Sequence, residues 1–283
     1  MTGCGAPGAP GIIRCLRKNG ERDIRIVAVD RNENAGARDL VDAFYTVPSA
    51  EKEDFLPAVL DICRRESVQV VIPIVTRELM KFARARAEFE ALGAKVSVME
   101  PDKLEIVNNK AHLLDAMRAH GLRTPRFAPA DGRPSLEAAV REAGGFPCVF
   151  KTRTLGYDGH GQVVLRSEED MAKVEPYFGR PGIVEEFIAF DFEASAIVVG
   201  DGRETVCFPV GRNVHRDGIL DLSVVPAEIP DALRDRIVSE SRRFMQECGY
   251  RGILAIEYFV KGDEIYFNEM APRPHNSGHW TIE

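Results

Sequence analysis

Two glutamates near the C-terminal end carry the strongest chemical signal in the chain. Glu257 lies on a predicted strand over 253–260, and Glu269 directly follows another over 264–268, with Lys261-Gly262-Asp263 as the tight turn between them. A hairpin register can bring both carboxylates to one point. Facing carboxylates repel unless a cation lies between them, and hard oxygen ligands suit Mg2+ held together with nucleotide phosphates. Taken alone, the pair is better explained as solvated glutamates on an exposed hairpin. The stretch that follows reverses that judgement. Residues 268–280 read NEMAPRPHNSGHW, polar and irregular directly after a strand, and no core requires such a sequence. Arg273 offers a planar fork for phosphate or carboxylate, while His275 and Asn276 offer donors for a second small anion beside it.

A second constellation is Lys151 followed by GYDGHGQ at 156–162, between two predicted strands. Gly156, Gly159 and Gly161 permit backbone conformations that aim N–H groups at an anion, and the lysine upstream adds charge for a polyphosphate. This is not the P-loop pattern, which requires GK[ST] opening a helix. Glycine-rich hairpin loops also occur without any ligand.

The elements that must position these residues divide into two parts. Up to about residue 100, predicted strands over 24–30, 68–75 and 94–99 alternate with helices over 55–66 and 78–92, the rhythm of an α/β domain with a parallel sheet and crossover helices. A helix over 108–121 closes at Gly121, and Pro125, Pro129 and Pro134 mark a connection, so a boundary is expected near residue 108. Beyond it the pattern is α+β and dominated by antiparallel sheet. Helices are predicted over 135–143, 168–177 and 231–248, with strands over 148–152, 162–165, 182–187, 193–199 and 205–212 before the final hairpin.

Composition sets the outer limits. With 283 residues, 45% apolar and 29% charged, the chain is long enough for two or three packed units, and it has no apolar run near the ~20 residues of a membrane span. A formal charge of −7, from 37 basic and 44 acidic residues, gives no basic field for nucleic acid. The six cysteines (Cys4, Cys15, Cys63, Cys148, Cys207 and Cys248) are scattered without a CxxC pair, so reduced and mostly buried thiols are expected, Cys148 and Cys207 within strands. His112 and His120 are expected on an exposed helix. The opening MTGCGAPG lacks the charged start and apolar stretch of a secretory signal, and a cytoplasmic protein is expected. A homodimer is compatible with these features; membrane and nucleic-acid partners are not expected.

At this point a family resemblance enters. Lys110, Lys151, the 156–162 loop, Glu185-Glu186-Phe187, Glu193, Glu257 and residues 269–273 resemble the ATP-grasp superfamily in order and spacing. Within it, GYDGHGQ, NVHRDGILDLSVVPA at 213–227 and NEMAPRPHNSGHWT look like the N5-carboxyaminoimidazole ribonucleotide synthetases, over roughly 147–283. The first hundred residues, with the glycine-rich stretch at 3–11 and IPIVTRE at 72–78, are more similar to ATP-grasp proteins related to the carbamoyl-phosphate synthetase large subunit. The resemblance implies a pre-ATP-grasp α/β domain over 1–108 and an ATP-grasp catalytic domain over 109–283, its two subdomains meeting at 187/188. It implies a fragment, a chimera or a designed sequence without the usual C-terminal domain.

The same resemblance implies an ATP- and Mg2+-dependent ligase of purine biosynthesis that activates bicarbonate, through carboxyphosphate, for an amine such as aminoimidazole ribonucleotide. Lys110 and Lys151 would hold ATP phosphates under the 156–161 loop, with Gly156, Gly159 and Gly161. Glu185, Glu186, Phe187 and Ile188 would form the adenine hinge, and Glu193 would bind the ribose. Glu257 and Glu269 would be the Mg2+ ligands. Arg273, His275 and Asn276 would surround bicarbonate, with Lys151 sharing the catalytic work. Tyr157, Asp158, His160 and His215 would face the amine-bearing substrate. His160 stands where those synthetases usually carry Arg or Lys, and Arg212 where a Glu is usual.

Two other readings compete. Gly3, Gly5 and Gly8 match GxGxxG, and Asp30 ends the next predicted strand where a ribose-binding acid of an NAD fold would sit. Almost no strand is expected before Gly3, and Pro7 and Pro10 interrupt the loop, so these glycines are expected to turn the chain into a helix or to hold a substrate phosphate. A non-catalytic nucleotide-binding protein is the third reading. Intact Glu257, Glu269 and Arg273 argue against it.

Overall fold

Short β-branched runs and amphipathic helices alternate through the first 119 residues of the computed structural model, which describes residues 1–154, 161–216 and 218–282. The order is α1 (Ala9–Arg17), β1 (Val27–Asp30), β2 (Ala43–Thr46), α2 (Phe55–Arg65), β3 (Val70–Val71), α3 (Thr76–Arg84), α4 (Arg86–Ala91), β4 (Lys95–Val96), α5 (Pro101–Val107) and α6 (Lys110–Ala119). Strand β1 pairs in parallel with β2, and β3 with β4. Between these two ladders run the first residues of the chain. Cys4 N–H donates to Val29 O, Val29 N–H to Met1 O, and Thr2 N–H to Ile72 O. No strand precedes Gly3, as expected, but residues 1–4 bridge the two ladders through these bonds.

The expected helix over 78–92 is two helices, because Ala85 (φ −92°, ψ 9°) leaves the helical region between α3 and α4. On a straight helix, positions 82 and 89 would lie about 10 Å apart along the axis. The bend lets the Phe82 and Phe89 rings meet at 5.4 Å, with Phe55 edge-on to Phe82 at 5.8 Å. Sequence reading also missed α5. Its Pro101 sits in the first turn, where the missing N–H costs nothing.

The second half begins with a four-stranded antiparallel sheet ordered β5-β8-β6-β7. Its strands are β5 (Phe127–Pro129), β6 (Cys148–Thr152), β7 (Gln162–Leu165) and β8 (Gly182–Glu186), with helix α7 (Arg133–Glu142) and a 3-10 segment (Glu168–Tyr177). A core of Leu136, Val140, Phe150, Leu165 and Val174 seals one face of this sheet.

The larger sheet contains β9 (Phe192–Gly200), β10 (Thr205–Cys207), β11 (Gly211–Arg216), β12 (Ile219–Val224), β13 (Gly252–Lys261) and β14 (Glu264–Ala271), with helix α8 (Asp231–Glu247) packed on it and a 3-10 segment (Asn276–Ile282) closing the chain. The order is β12-β11-β9-β13-β14, with β10 also on β9. One strand was expected over 205–212, but Pro209 has no N–H to give to a ladder, and the chain breaks into β10 and β11 around it. Strand β12 was not anticipated.

One continuous apolar core links α2 to α6 with the large sheet, through Phe55, Phe82, Phe89, Leu104 and Leu114 on one side and Ile256, Tyr258 and Phe267 on the other. This core fixes the N-terminal unit against the C-terminal sheet. Among the described residues no helix is long and apolar enough to cross a membrane. His112 is exposed as expected, whereas His120 is half-buried, bound to Glu247 at 2.6 Å and edge-on to Phe244. Cys4, Cys63 and Cys148 are buried, Cys207 and Cys248 half-buried, and Cys15 exposed.

Candidate active site

Side chains two apart on a strand share a face, and directly paired residues on neighbouring strands share it too. On β9 this puts Glu193 and Ser195 together. Ser195 pairs with Glu257 on β13, and Glu257 pairs with Glu269 on β14. Asn213 on β11 pairs with Glu193 from the other side. A register shift follows Glu257 immediately, a bulge that re-aims the strand at the point where the two carboxylates meet. The result is an acidic floor under a cleft of about 1140 Å3.

Electrostatics on this floor favour a cation. Burial and the neighbouring Glu269 carboxylate push the Glu257 carboxyl up to about 8. Its Oε1 is buried without a hydrogen bond, with His275 Nδ1 3.5 Å away. For Glu269, burial also works upwards, but Lys110, His275, Lys151 and Arg273 together outweigh it and hold the carboxyl below its ordinary value. A buried orphan oxygen facing a charged carboxylate is an arrangement that a divalent cation relieves, so these residues fit Mg2+. Among the described residues no group of three or more His, Cys, Asp or Glu could hold a metal ion. Mg2+ bound with a nucleotide is ordinarily held by one or two carboxylates together with phosphate oxygens, a role that two carboxylates suit.

The smaller sheet supplies the opposite wall. Lys151 on β6 donates to Glu185 on β8 at 2.7 Å, a pair almost wholly buried. Lys110, the first residue of α6, lines the same cleft, and its N–H donates to Arg153 O just beyond β6. Asn109 caps that helix by accepting from the N–H groups of Ala111 and His112. Glu186 spends its carboxylate on Arg126 at 3.0 Å, which holds it below the usual range. Phe187 is partly exposed and Ile188 buried along the cleft edge, and Gly161 lines it at φ +78°. The Phe190 and Phe259 rings stack at 4.6 Å and 4° between them, an apolar platform that sequence reading missed.

The third wall is the segment after β14. Arg273 Nε donates to Thr76 Oγ1 at 2.8 Å, and its Nη1 to Pro274 O at 2.8 Å. His275 stands between the two glutamates, Nδ1 3.0 Å from Ser277 Oγ and Nε2 3.9 Å from Glu269 Oε1. Asn276 accepts the Ser277 N–H through its own side chain and lines the cleft. Gly3, Ala6, Asp30, Thr76 and Glu78 complete the wall from the N-terminal unit.

Lys110, Lys151, Gly161, Glu185, Glu186, Phe187, Ile188, Glu193, His215, Glu257, Glu269, Arg273, His275 and Asn276 thus all line one cleft. Gly156, Tyr157, Asp158, Gly159 and His160 lie outside the described residues. His215, expected as a wall for the substrate, binds Glu193 at 2.5 Å; this hydrogen bond raises its pKa, with burial opposing. Thr76, Ser277 and Asn213 were not singled out. Asn213 is buried, accepts from Ser223 at 2.8 Å and leaves its Nδ2 without a partner. Its alternation with His215 along a strand was the available signal.

Two antiparallel sheets gripping a cleft with a paired-carboxylate floor and two lysines in its wall define a nucleotide-dependent ligase of the ATP-grasp type. The ATP-grasp domain family matches residues 115–283, and the chain belongs to that family. Its members are ATP-dependent ligases that use Mg2+. The PylC-like N-terminal domain matches residues 2–97.

Among individual proteins, the chain is 44% identical over 167 residues to N5-carboxyaminoimidazole ribonucleotide synthase of Pseudomonas aeruginosa, covering 58% of this chain and 45% of that one. It is 32% identical over 266 residues to the formate-dependent phosphoribosylglycinamide formyltransferase of Nitratiruptor sp., covering 92% and 66%. The chain therefore spans less than two thirds of the length of both relatives. An N5-carboxyaminoimidazole ribonucleotide synthetase solved as its ADP complex superposes with a TM-score of 0.83 at 31% identity, over 97% of this chain and 70% of that one. The synthetase of Thermus thermophilus gives 0.82 at 29%, over 100% and 73%.

Proposed function

We propose that this chain uses Mg-ATP to phosphorylate a small carboxylate, bicarbonate in first place, and passes the activated carbon to an amine. The observation that carries the reading is the register pairing of Glu257 with Glu269 where Lys110, Lys151 and Arg273 converge. A carboxylate oxygen attacks the γ-phosphorus and ADP leaves; the amine then attacks the activated carbon and phosphate leaves. Little covalent work falls to the protein in such a transfer, and its task is positioning and charge neutralisation. Glu257 and Glu269 would hold Mg2+ across the phosphates, Lys110 and Lys151 would neutralise phosphate charge, and Arg273, His275 and Asn276 would hold the carboxylate. The Glu185 to Ile188 edge would take the adenine and Glu193 the ribose. In this reading residues 1–108 form the domain on the amine side, and 109–187 and 188–283 the two halves closing on ATP.

Bicarbonate is favoured by the 44% identity with the synthase over 58% of the chain and by the likeness of NEMAPRPHNSGHW to those synthetases. Formate is the second reading, because the formyltransferase match extends over 92% of the chain. One assay separates them: ADP release from Mg-ATP in CO2-depleted buffer, with bicarbonate or formate added, each with and without aminoimidazole ribonucleotide or phosphoribosylglycinamide. Bicarbonate stimulation is the expected result, and formate stimulation alone moves the assignment to the second reading. Nucleotide binding with no ADP release under any combination overturns both.

A further inference from the structure

We propose that Thr76 is a positioning residue for Arg273, so that the N-terminal unit completes the anion-activating end of the site; this deepens the ligase reading above and rests on it. Arg273 follows β14, and Thr76 opens α3, 197 residues earlier. The 2.8 Å bond from Nε to Thr76 Oγ1 fixes one edge of the guanidinium, and the 2.8 Å bond from Nη1 to Pro274 O fixes another. Anchors on two different nitrogens constrain the plane of a rigid fork more tightly than either does by itself. The plane matters because a guanidinium recognises carboxylate or phosphate edge-on, through paired N–H groups.

The anchor itself stands on a rigid element. Helix α3 buries Leu79 and Phe82 completely, and Phe82 packs between Phe55 and Phe89. A hydroxyl at the first residue of such a helix has little freedom, and β-branching restricts its rotamer further. The segment carrying Arg273 is held a second time on the same unit. A Cβ added at Gly8 would lie 2.7 Å from His279 Nε2, so the start of α1 and the terminal 3-10 segment are in close contact. Thr76 and its neighbours Arg77 and Glu78 also line the cleft directly.

A purely adhesive contact would lower stability when cut and leave the chemistry alone. A positioning contact behaves otherwise. Thr76→Val keeps the shape and removes the acceptor, and Thr76→Ser restores it. In the full chain, Thr76→Val is expected to lose roughly tenfold in kcat for carboxylate-dependent ADP release, with the KM for ATP within about twofold of the parent. Thr76→Ser is expected to keep most of the activity.

The single tryptophan provides a second readout. Trp280 lies on the same segment, edge-on to Phe208 at 5.9 Å, with its Nε1 buried and unpartnered. Its emission, followed while inorganic phosphate is titrated into the Mg-ADP-loaded protein, should report anion affinity roughly tenfold weaker in Thr76→Val than in the parent or Thr76→Ser. Parental kinetics and parental phosphate affinity in Thr76→Val would overturn the proposal, as would a Thr76→Ser variant as impaired as Thr76→Val. A parent that releases no ADP with any carboxylate would refute the ligase reading instead, and the phosphate titration would still decide whether Thr76 orients Arg273.

Discussion

A carboxyl held where its charge is unfavourable binds a cation more readily than it tolerates solitude, and Glu257 is in that position. Burial and Glu269 push it up to about 8, while Lys110, His275, Lys151 and Arg273 hold the half-exposed Glu269 carboxyl below its ordinary value. Under the proposed function the two would play different parts, Glu269 contributing the more readily ionised carboxylate and Glu257 a carboxyl whose charge a bound Mg2+ would favour. Glu269→Gln is expected to cut ADP formation by orders of magnitude while ADP binding partly survives, measured by turnover and calorimetric titration; parental turnover would remove Glu269 from the metal site. Glu78 offers a test through stability alone. Burial raises its carboxyl from 4.5 to about 7, so the folded chain holds this proton more tightly than the unfolded one. Stability from that proton is complete below about pH 4.5 and is lost as pH rises through 7. Glu78→Gln should therefore gain on the parent in urea midpoint between pH 5 and 7, and the gain should level off above. The buried Met1 amine, lowered to about 6, pulls the other way from about pH 6 upwards and itself interacts with Glu78, so the change between pH 5 and 6 is the part of the difference that reads Glu78. A difference that does not change with pH would show that Glu78 is not perturbed.

Elements with their own pattern were legible, and elements made by distant partners were not. Strands β6 and β7 fall on the expected residues because β-branched runs end at clear turn signals. By contrast β3 and β4 are two residues each and depend on the extended first residues of the chain between the ladders, a contact that no local pattern announces. The paired glutamates were readable because a hairpin is local. The Thr76 to Arg273 bond, spanning 197 residues, was not. The smaller sheet also contains a close approach that only its packing reveals. A Cβ at Gly182, the first residue of β8, would sit 2.4 Å from Phe150 Cε2 and 2.8 Å from Ala130 O. Gly182→Ala should therefore destabilise the sheet by about 1–3 kcal/mol, as overpacked cores do. Because β6 and β8 carry Lys151 and Glu185, ATP affinity should fall with it, whereas the β13–β14 hairpin should be untouched. Urea unfolding paired with an ATP titration would check this, and unchanged values in both would mean that Phe150 yields freely.

At the scale of the whole molecule, one cleft collects residues from both sheets and from the N-terminal unit, and its chemistry decides which nucleotide it takes. The glycine-rich start of the chain was the rival site. No strand precedes its first glycine, although residues 1–4 bond to both ladders, and Asp30 Oδ2 accepts the Gly5 N–H at 2.7 Å. In a dinucleotide fold that carboxylate would be turned to ribose hydroxyls; here it braces its own loop. The positive charges of Lys110, Lys151 and Arg273 stand instead around Glu269. Calorimetric titration should therefore give saturable binding of Mg-ATP or ADP and no comparable affinity for NAD or NADP. Asp30→Ala should loosen the loop and lower the melting temperature while leaving ADP affinity near the parent's, since its carboxylate is bonded to its own loop at the Gly5 and Asn32 N–H groups. NAD binding as tight as ADP binding, abolished by Gly5→Val, would move the nucleotide to the N-terminal unit and refute the placement argued for the cleft.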